Sequence, residues 1–313
     1  MSMRFGIHVG HVGGPLDELR KLWRFADSSG FYWFSASDHF QESPPQDGNG
    51  ACFEAVSTMA AVALDTTRLR VGCLVFCVNY RNPGLLAKAL CTIDHLSRGR
   101  VECGIGAGWH KAEYQGYGIP FEPTGVREDH LEEAVQILRL LFDQPVSNFK
   151  GKHFQLNDAR CNPKPLQKRL RIWIGGGGEK RTIRTAARYA DGWNGAYFDP
   201  PAWKAKSAVL DAWCEKFQRD PKEIARAVNV GFYMAANERG VARQEALFQA
   251  HWSANRGALS GFLRGTPAQA LEMIHAYREA GVEQINIAVR EGPHDWEALH
   301  AFVAEVMPAF VGR

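Results

Sequence analysis

The residue in this chain best placed for proton chemistry is a histidine at the end of a β-rich run. Ser37-Asp38-His39-Phe40 closes the second such run. An imidazole titrates near neutral pH, so His39 can give or take a proton under working conditions. Asp38 is the acidic neighbour expected to bias it. The competing reading is a histidine that only caps its strand. His8 and His11 lie at the end of the first run and just beyond it, and at that spacing two side chains on one strand face opposite ways. His8 is therefore expected in the substrate pocket and His11 in the loop. Carboxylates at these run ends are few: Asp38, Glu54 at a helix start, and Glu113. No dense His/Asp/Glu cluster is visible, so no metal site is expected. There is no G-x-S-x-G elbow and no cysteine beside a suitable histidine, so nothing points to a nucleophile.

Two glycine-rich stretches suggest a different kind of chemistry. Gly104-x-Gly106-x-Gly108-Trp109-His110 and Gly175-Gly176-Gly177-Gly178 each follow a β-rich run. Lacking a Cβ, such residues let the backbone approach a ligand closely. The second stretch continues into Glu179-Lys180-Arg181-Thr182, read as a helix start whose free N–H groups attract an anion. Lys180, Arg181 and Arg184 are cations at the helix end that disfavours them, and a bound phosphate would compensate. The alternative is a solvated basic first turn. Neither a P-loop nor a dinucleotide fingerprint is present. Trp109 either stacks on a flat ring or packs under its own loop. Arg81, after the third run, is either a ligand contact or half of a salt bridge. His110 and Asn194 join His8 and Glu54 as expected substrate-pocket residues. A mouth poor in acid/base groups and rich in ring- and phosphate-friendly features suits redox chemistry carried by a cofactor.

The elements that must position these residues alternate along the chain. Strands are expected at Arg4–Val9, Tyr32–Ala36, Leu69–Phe76, Val101–Ile105, Arg171–Gly175, Gly192–Asn194, Ala227–Met234 and Gln284–Val289. Helices are expected at Pro15–Ser29, Cys52–Leu64, Gly84–Leu96, Val126–Phe142, Glu179–Tyr189, Pro201–Phe217, Val241–Trp252 with Pro267–Ala280, and Asp295–Val306. Strand–helix alternation of this count fits a (β/α)₈ barrel, here a single domain over residues 1–313, whose catalytic face is at the strand C-termini. Thr266-Pro267-Ala268-Gln269 and Asp220-Pro221-Lys222-Glu223 read as helix starts. Ser29-Gly30, Ser97-Arg98-Gly99 and Ala280-Gly281 read as stops. Three connections are long: Ser37–Gly50 and Gly106–Gly125 on the catalytic face, and Pro145–Leu170, which carries a hairpin pattern and follows a helix.

Bulk properties narrow the classes. The chain has 313 residues, 45% hydrophobic and 23% charged, with a net charge of +3 spread along it. No basic stripe suggests nucleic acid. No apolar run approaches the ~18 residues of a membrane span. The N-terminus lacks signal-peptide features, so a cytoplasmic location is expected. The seven cysteines are scattered and read as buried free thiols.

These residues together resemble the luciferase-like monooxygenase superfamily, in particular its deazaflavin (coenzyme F420) branch. The similarity runs through Arg4–Gly10, Ser37–Phe40, Val71–Pro83, Leu86–Gly118, Pro163–Pro165, Ile174–Thr182, Tyr189–Asn194 and Arg219–Pro221. The resemblance implies a barrel, usually dimeric, with a flavin or deazaflavin at its C-terminal mouth and a separate reductase to recharge it. It implies that His39 lies near the reactive ring, with Asp38 beside it. It implies a non-proline cis peptide, placed at Leu74–Val75, behind that ring. Gly108, Trp109 and Gly175–Gly178 match the loops that hold the phosphate side. Some sugar-phosphate dehydrogenases of the branch carry a glutamate near the position of Ala107, and no such acid is carried over here. The activity implied is hydride transfer between C5 of F420 and a small organic substrate. The alternatives are a two-component FMN-dependent monooxygenase and a non-catalytic flavin-binding protein.

Overall fold

The computed structural model describes residues 2–10, 15–42, 48–252, 259–290 and 294–312. His11 lies outside them, as do parts of the long loops after the second and seventh barrel strands. The strands are β1 Arg4–Val9, β2 Trp33–Ala36, β3 Arg70–Cys77, β4 Val101–Gly106, β5 Ser147–Lys150, β6 Gln155–Ala159, β7 Arg171–Gly175, β8 Gly192–Ala196, β9 Ala225–Met234, β10 Phe262–Gly265 and β11 Gln284–Val289. The helices are α1 Leu16–Ser28, α2 Ala55–Asp65, α3 Pro83–Leu96, α4 Lys111–Gly116, α5 Thr124–Asp143, α6 Thr182–Tyr189, α7 Pro200–Lys216, α8 Glu238–Trp252, α9 Pro267–Glu279 and α10 Trp296–Ala301. Parallel pairing runs β1-β2-β3-β4-β7-β8-β9-β11 and returns to β1, which closes the barrel.

Burial on both faces explains the near-continuous apolar strands. β1 and β11, for example, pair from Arg4 with Gln284 to Val9 with Val289 and are buried almost throughout. The main core lies between barrel and helices. A second, smaller cluster of Trp33, Leu74, Trp173 and Ala227 fills the barrel itself. Glycine makes room for it: a Cβ on Gly72 would sit 2.6 Å from Trp33 Nε1, and one on Gly192 would sit 2.2 Å from Trp173 Cε3. Glu102 joins this lower plug, accepting from Trp173 Nε1 at 2.7 Å and from Arg70 Nε at 2.8 Å. Burial pushes its carboxyl up, while Arg70 and Trp173 pull the other way.

Local signals set several helix ends. Asn82 caps α3, with Pro83 in the first turn and its side chain accepting from Gly84 N at 2.8 Å. Thr266 and Gln269 form the capping box of α9. Gly30, Gly99 and Gly281 take positive φ just past helix ends. Asp220-Pro221 is a correction: it opens only a short turn, Pro221–Glu223, before the chain enters β9. Two elements were not foreseen, the short α4 and the rim strand β10. Strand β10 pairs with the upper half of β9, past the point where β8 ends.

The long connection after α5 is the antiparallel hairpin β5–β6. It lies against α5 rather than beneath the barrel. Glu133 of α5 accepts from the N–H groups of Lys152, His153 and Phe154 in the hairpin turn. His130, one turn earlier, contacts His153 and bonds Asn79 beyond β3 at 2.6 Å, so the hairpin reaches the mouth side. All seven cysteines are free thiols, six of them buried. Among the described residues, no helix is long and apolar enough to cross a membrane.

Candidate active site

His39 sits just past β2 and is held by a residue from a different loop. Its Nδ1 lies 2.8 Å from Glu113 Oε2, on α4 above β4. Glu113 has no exposed side-chain surface. Its other oxygen accepts from Phe40 N at 2.7 Å and Gln41 N at 3.2 Å, and Tyr80 OH donates to Oε2 at 2.9 Å. Burial alone would raise its pKa. The hydrogen bond and charge of His39, with the Phe40 amide and Tyr80 hydroxyl, outweigh that and bring it down to about 2. Glu113 is thus an anion that fixes the ring of His39 through Nδ1.

Asp38, the expected partner of His39, faces elsewhere. Its carboxylate accepts from Cys77 N at 2.8 Å and takes a two-pronged ion pair from Arg81 at 2.7 and 2.8 Å. Successive side chains at a strand end point to opposite sides, so sequence neighbours do not share a partner. The same pair is the salt-bridge reading of Arg81: its charge is matched within the protein, by Asp38 and by Glu54 at 3.3 Å. Glu54 also caps α2, accepting from Ser57 N at 2.7 Å.

At the same end of the barrel, β3 is irregular and tightly packed. The Leu74–Val75 peptide is cis, and β3 shifts register between Cys73 and Phe76. The shift turns Val75 between two strand ends: a Cβ on Gly106 would lie 2.7 Å from Val75 Cγ2, and one on Gly175 would lie 2.6 Å from Val75 Cγ1. Gly108 has φ +77°, and a Cβ there would meet Tyr114 OH at 2.1 Å. Trp109 stands 61% exposed, edge-on to His39 at 5.7 Å and stacked on His110. It does not pack under its loop.

Gly176 and Gly177 are half-buried and followed by three exposed residues, Gly178 to Lys180, and then Arg181. α6 begins at Thr182, later than expected. The basic residues are not left for an anion. Arg181 pairs with Asp129, and Arg184 with Glu132 at 3.2 Å, both acids on α5. Asp129 and Glu132 stand three apart, so they fall on one helix face, towards α6. Lys180 is exposed. Any phosphate here would rest chiefly on backbone N–H groups. Among the described residues, Glu128 Oε2 and Arg181 Nε are buried without a hydrogen-bond partner beside this loop.

Deeper in the barrel, His8 and Asn194 line a polar layer. His8 Nδ1 lies 3.1 Å from Ser35 Oγ, its register partner on β2. Burial, helped by the charge of His39, lowers its pKa to about 4, so it is neutral at pH 7. Asn286 Nδ2 donates to Asn229 Oδ1 at 3.0 Å and to Asn194 Oδ1 at 3.4 Å. Asn229 and Asn286 carried no signal beyond their place in apolar strands. Glu113 was also missed as the partner of His39, and Tyr80 as a donor to Glu113. The signal for Glu113 was a carboxylate three residues after His110, a helical spacing obscured by the loop-like glycines around it. His110 is buried, with Nδ1 3.1 Å from Glu113 Oε2. The expectation of no His/Glu cluster is corrected: ligand atoms of His39, His110 and Glu113 lie within 4.8 Å of one another.

The geometry has counterparts. A family model for luciferase-like monooxygenases matches residues 2–264. The chain is 27% identical over 305 residues to an FMNH(2)-dependent dimethylsulfone monooxygenase of Pseudomonas putida, covering 86% of this chain and 82% of that one. It is 28% identical over 249 residues to an F420-dependent hydroxymycolic acid dehydrogenase of Mycobacterium tuberculosis, covering 79% and 67%. The match to the uncharacterized protein Mb0978c of Mycobacterium bovis, 29% identical, spans 64% of that relative's length. In solved structures, an F420-dependent secondary alcohol dehydrogenase with an F420-acetone adduct superposes with a TM-score of 0.86 at 19% identity, over 100% of both chains. That likeness shows the barrel. With most of its length matched by the family model, the chain belongs to the luciferase-like monooxygenase family.

Proposed function

We propose that this protein is a coenzyme F420-dependent oxidoreductase acting on a small organic substrate. The observation that carries it is the His39–Glu113 pair at the barrel mouth, an imidazole held by a buried carboxylate at the same end as the Val75 bulge and the glycine-bearing strand ends. Bound F420 supplies a two-electron hydride donor or acceptor at C5. The glycine-bearing strand ends suit such a group: Gly106 and Gly175 yield their Cβ space to Val75, and Gly108 brings its loop onto Tyr114, so backbone rather than side chains faces this end. Val75 would back the ring, and Gly176–Gly178 would hold the phosphate-bearing tail through backbone N–H groups. Glu113 orients His39, whose Nε2 gives or takes the proton that accompanies the hydride on the substrate. His8, neutral in its buried site, can hydrogen-bond the substrate without adding charge. A separate reductase or dehydrogenase would recharge the cofactor.

The FMN-dependent oxygenase reading has its own support, the 27% identity to the dimethylsulfone enzyme over most of both chains. Parallel fluorescence titrations with F420 and FMN decide between them. Micromolar binding of F420 with FMN much weaker is the expected result. Binding of FMN alone would move the protein to the oxygenase class, and binding of neither would remove both.

A further inference from the structure

We propose that His39, His110 and Glu113 bind one divalent first-row transition ion, zinc by their ligand chemistry, and that the bound ion takes His39 out of the redox reaction. The three residues come from two loops, after β2 and after β4, and their ligand atoms lie within 4.8 Å of one another. His39 Nδ1 and His110 Nδ1 stand 2.8 and 3.1 Å from the same oxygen, Glu113 Oε2. A zinc ion at about 2.0–2.2 Å from each would fit among them after a small rotation of His110. Two imidazoles and a carboxylate leave a fourth position for water, the arrangement of an open zinc site.

A second observation points to a ligand. His110 is 5% exposed. Its Nδ1 is buried and makes no hydrogen bond among the described residues, despite its ion-pair distance from Glu113. A buried ring nitrogen without a hydrogen bond is costly, and an ion would satisfy it. The carboxylate is already fixed from behind by Phe40 N, Gln41 N and Tyr80 OH, as supporting groups fix metal ligands elsewhere. The ion would replace the proton that His39 shares with Glu113, so binding releases a proton.

Binding stands on this geometry alone; the loss of turnover rests on the function proposed above. Chelator-treated full-length protein is titrated with Zn2+ by calorimetry and with Co2+ by absorption. One ion per chain and pseudo-tetrahedral Co2+ bands are expected. His110→Ala and Glu113→Gln should each weaken binding at least about tenfold, and His275→Ala, on the remote helix α9, should leave it unchanged. Glu113→Gln keeps an amide oxygen for the Phe40 and Gln41 N–H groups, and a thermal melt of each variant verifies folding. Absence of saturable binding in the wild type, or wild-type affinity in both folded variants, overturns the site. If zinc binds but does not suppress turnover, and chelator changes nothing, the inhibitory part falls. If metal-free protein shows no F420 turnover at all, the functional reading fails while the zinc titration still stands.

Discussion

At the scale of single residues, the chemistry depends on which carboxylate reaches His39. Glu113 does so through a 2.8 Å contact in a fully buried setting. On the function proposed above, Glu113→Gln should lower kcat by about 10²-fold or more with cofactor affinity little changed, because a neutral amide cannot stabilise the imidazolium. Steady-state kinetics beside a cofactor titration tests this, and equal loss in both would assign Glu113 a purely structural role. His8 sets a different prediction. Its folded pKa of about 4 lies below the ordinary 6.5, so the unfolded chain binds more protons between those values. Stability is full above pH 6.5 and declines as pH falls toward 4. The His8 contribution to that decline is about 2 kcal/mol at pH 5. Denaturant unfolding of His8→Asn at pH 7 and pH 5 should show a pH difference smaller by that amount. Glu113 acts in a lower window: its contribution is present above about pH 4.5 and is lost as pH falls toward 2.

At the scale of elements, the β3 irregularity places one side chain, Val75, where two neighbouring strands must yield to it. Val75 on β3 occupies the space where Gly106 on β4 and Gly175 on β7 would carry Cβ atoms. Gly175→Ala should cost about 1–3 kcal/mol by overpacking and abolish cofactor binding. Val75→Ala in the same chain removes the colliding methyls, so the double variant should recover stability. A double-mutant cycle by thermal unfolding measures the coupling. Additive losses would show that the two side chains do not compete for one space. The α5–α6 pair follows the same logic at a helix interface. Acids three apart on α5 meet the cations of α6, so the ion pairing seen there is a property of two packed helices and not of either alone.

At the scale of the whole molecule, the barrel separates chemistry from stability along its axis. The mouth holds His39, Glu113 and Val75. The lower plug holds Trp33, Trp173, Glu102 and Arg70. Arg70→Met would leave Glu102, 1% exposed, without its cation. A cost of about 3–5 kcal/mol is expected, since a buried charge is left uncompensated. Turnover per folded molecule should be unchanged. Chemical denaturation and kcat corrected for folded fraction check both halves, and a fall in kcat would show that plug and mouth are coupled.

The sequence by itself determined the architecture and most element positions. Strand and helix periods, caps such as Asn82-Pro83 and Thr266-Pro267, and glycines after helices are local signals, and a barrel is built from local βα units. Its glycine-bearing strand ends also marked the mouth, because strand direction alone sends them there. What only the tertiary structure decided was pairing. Asp38 and His39 are adjacent in sequence yet face different partners, and Glu113 reaches His39 across 74 positions. Arg81, Arg181 and Arg184 looked available in one dimension and are matched by acids from other elements in three. Charge pairing is settled by distances of a few ångström between segments far apart in the chain. Periodicity reports which way a side chain points and says nothing of what it meets.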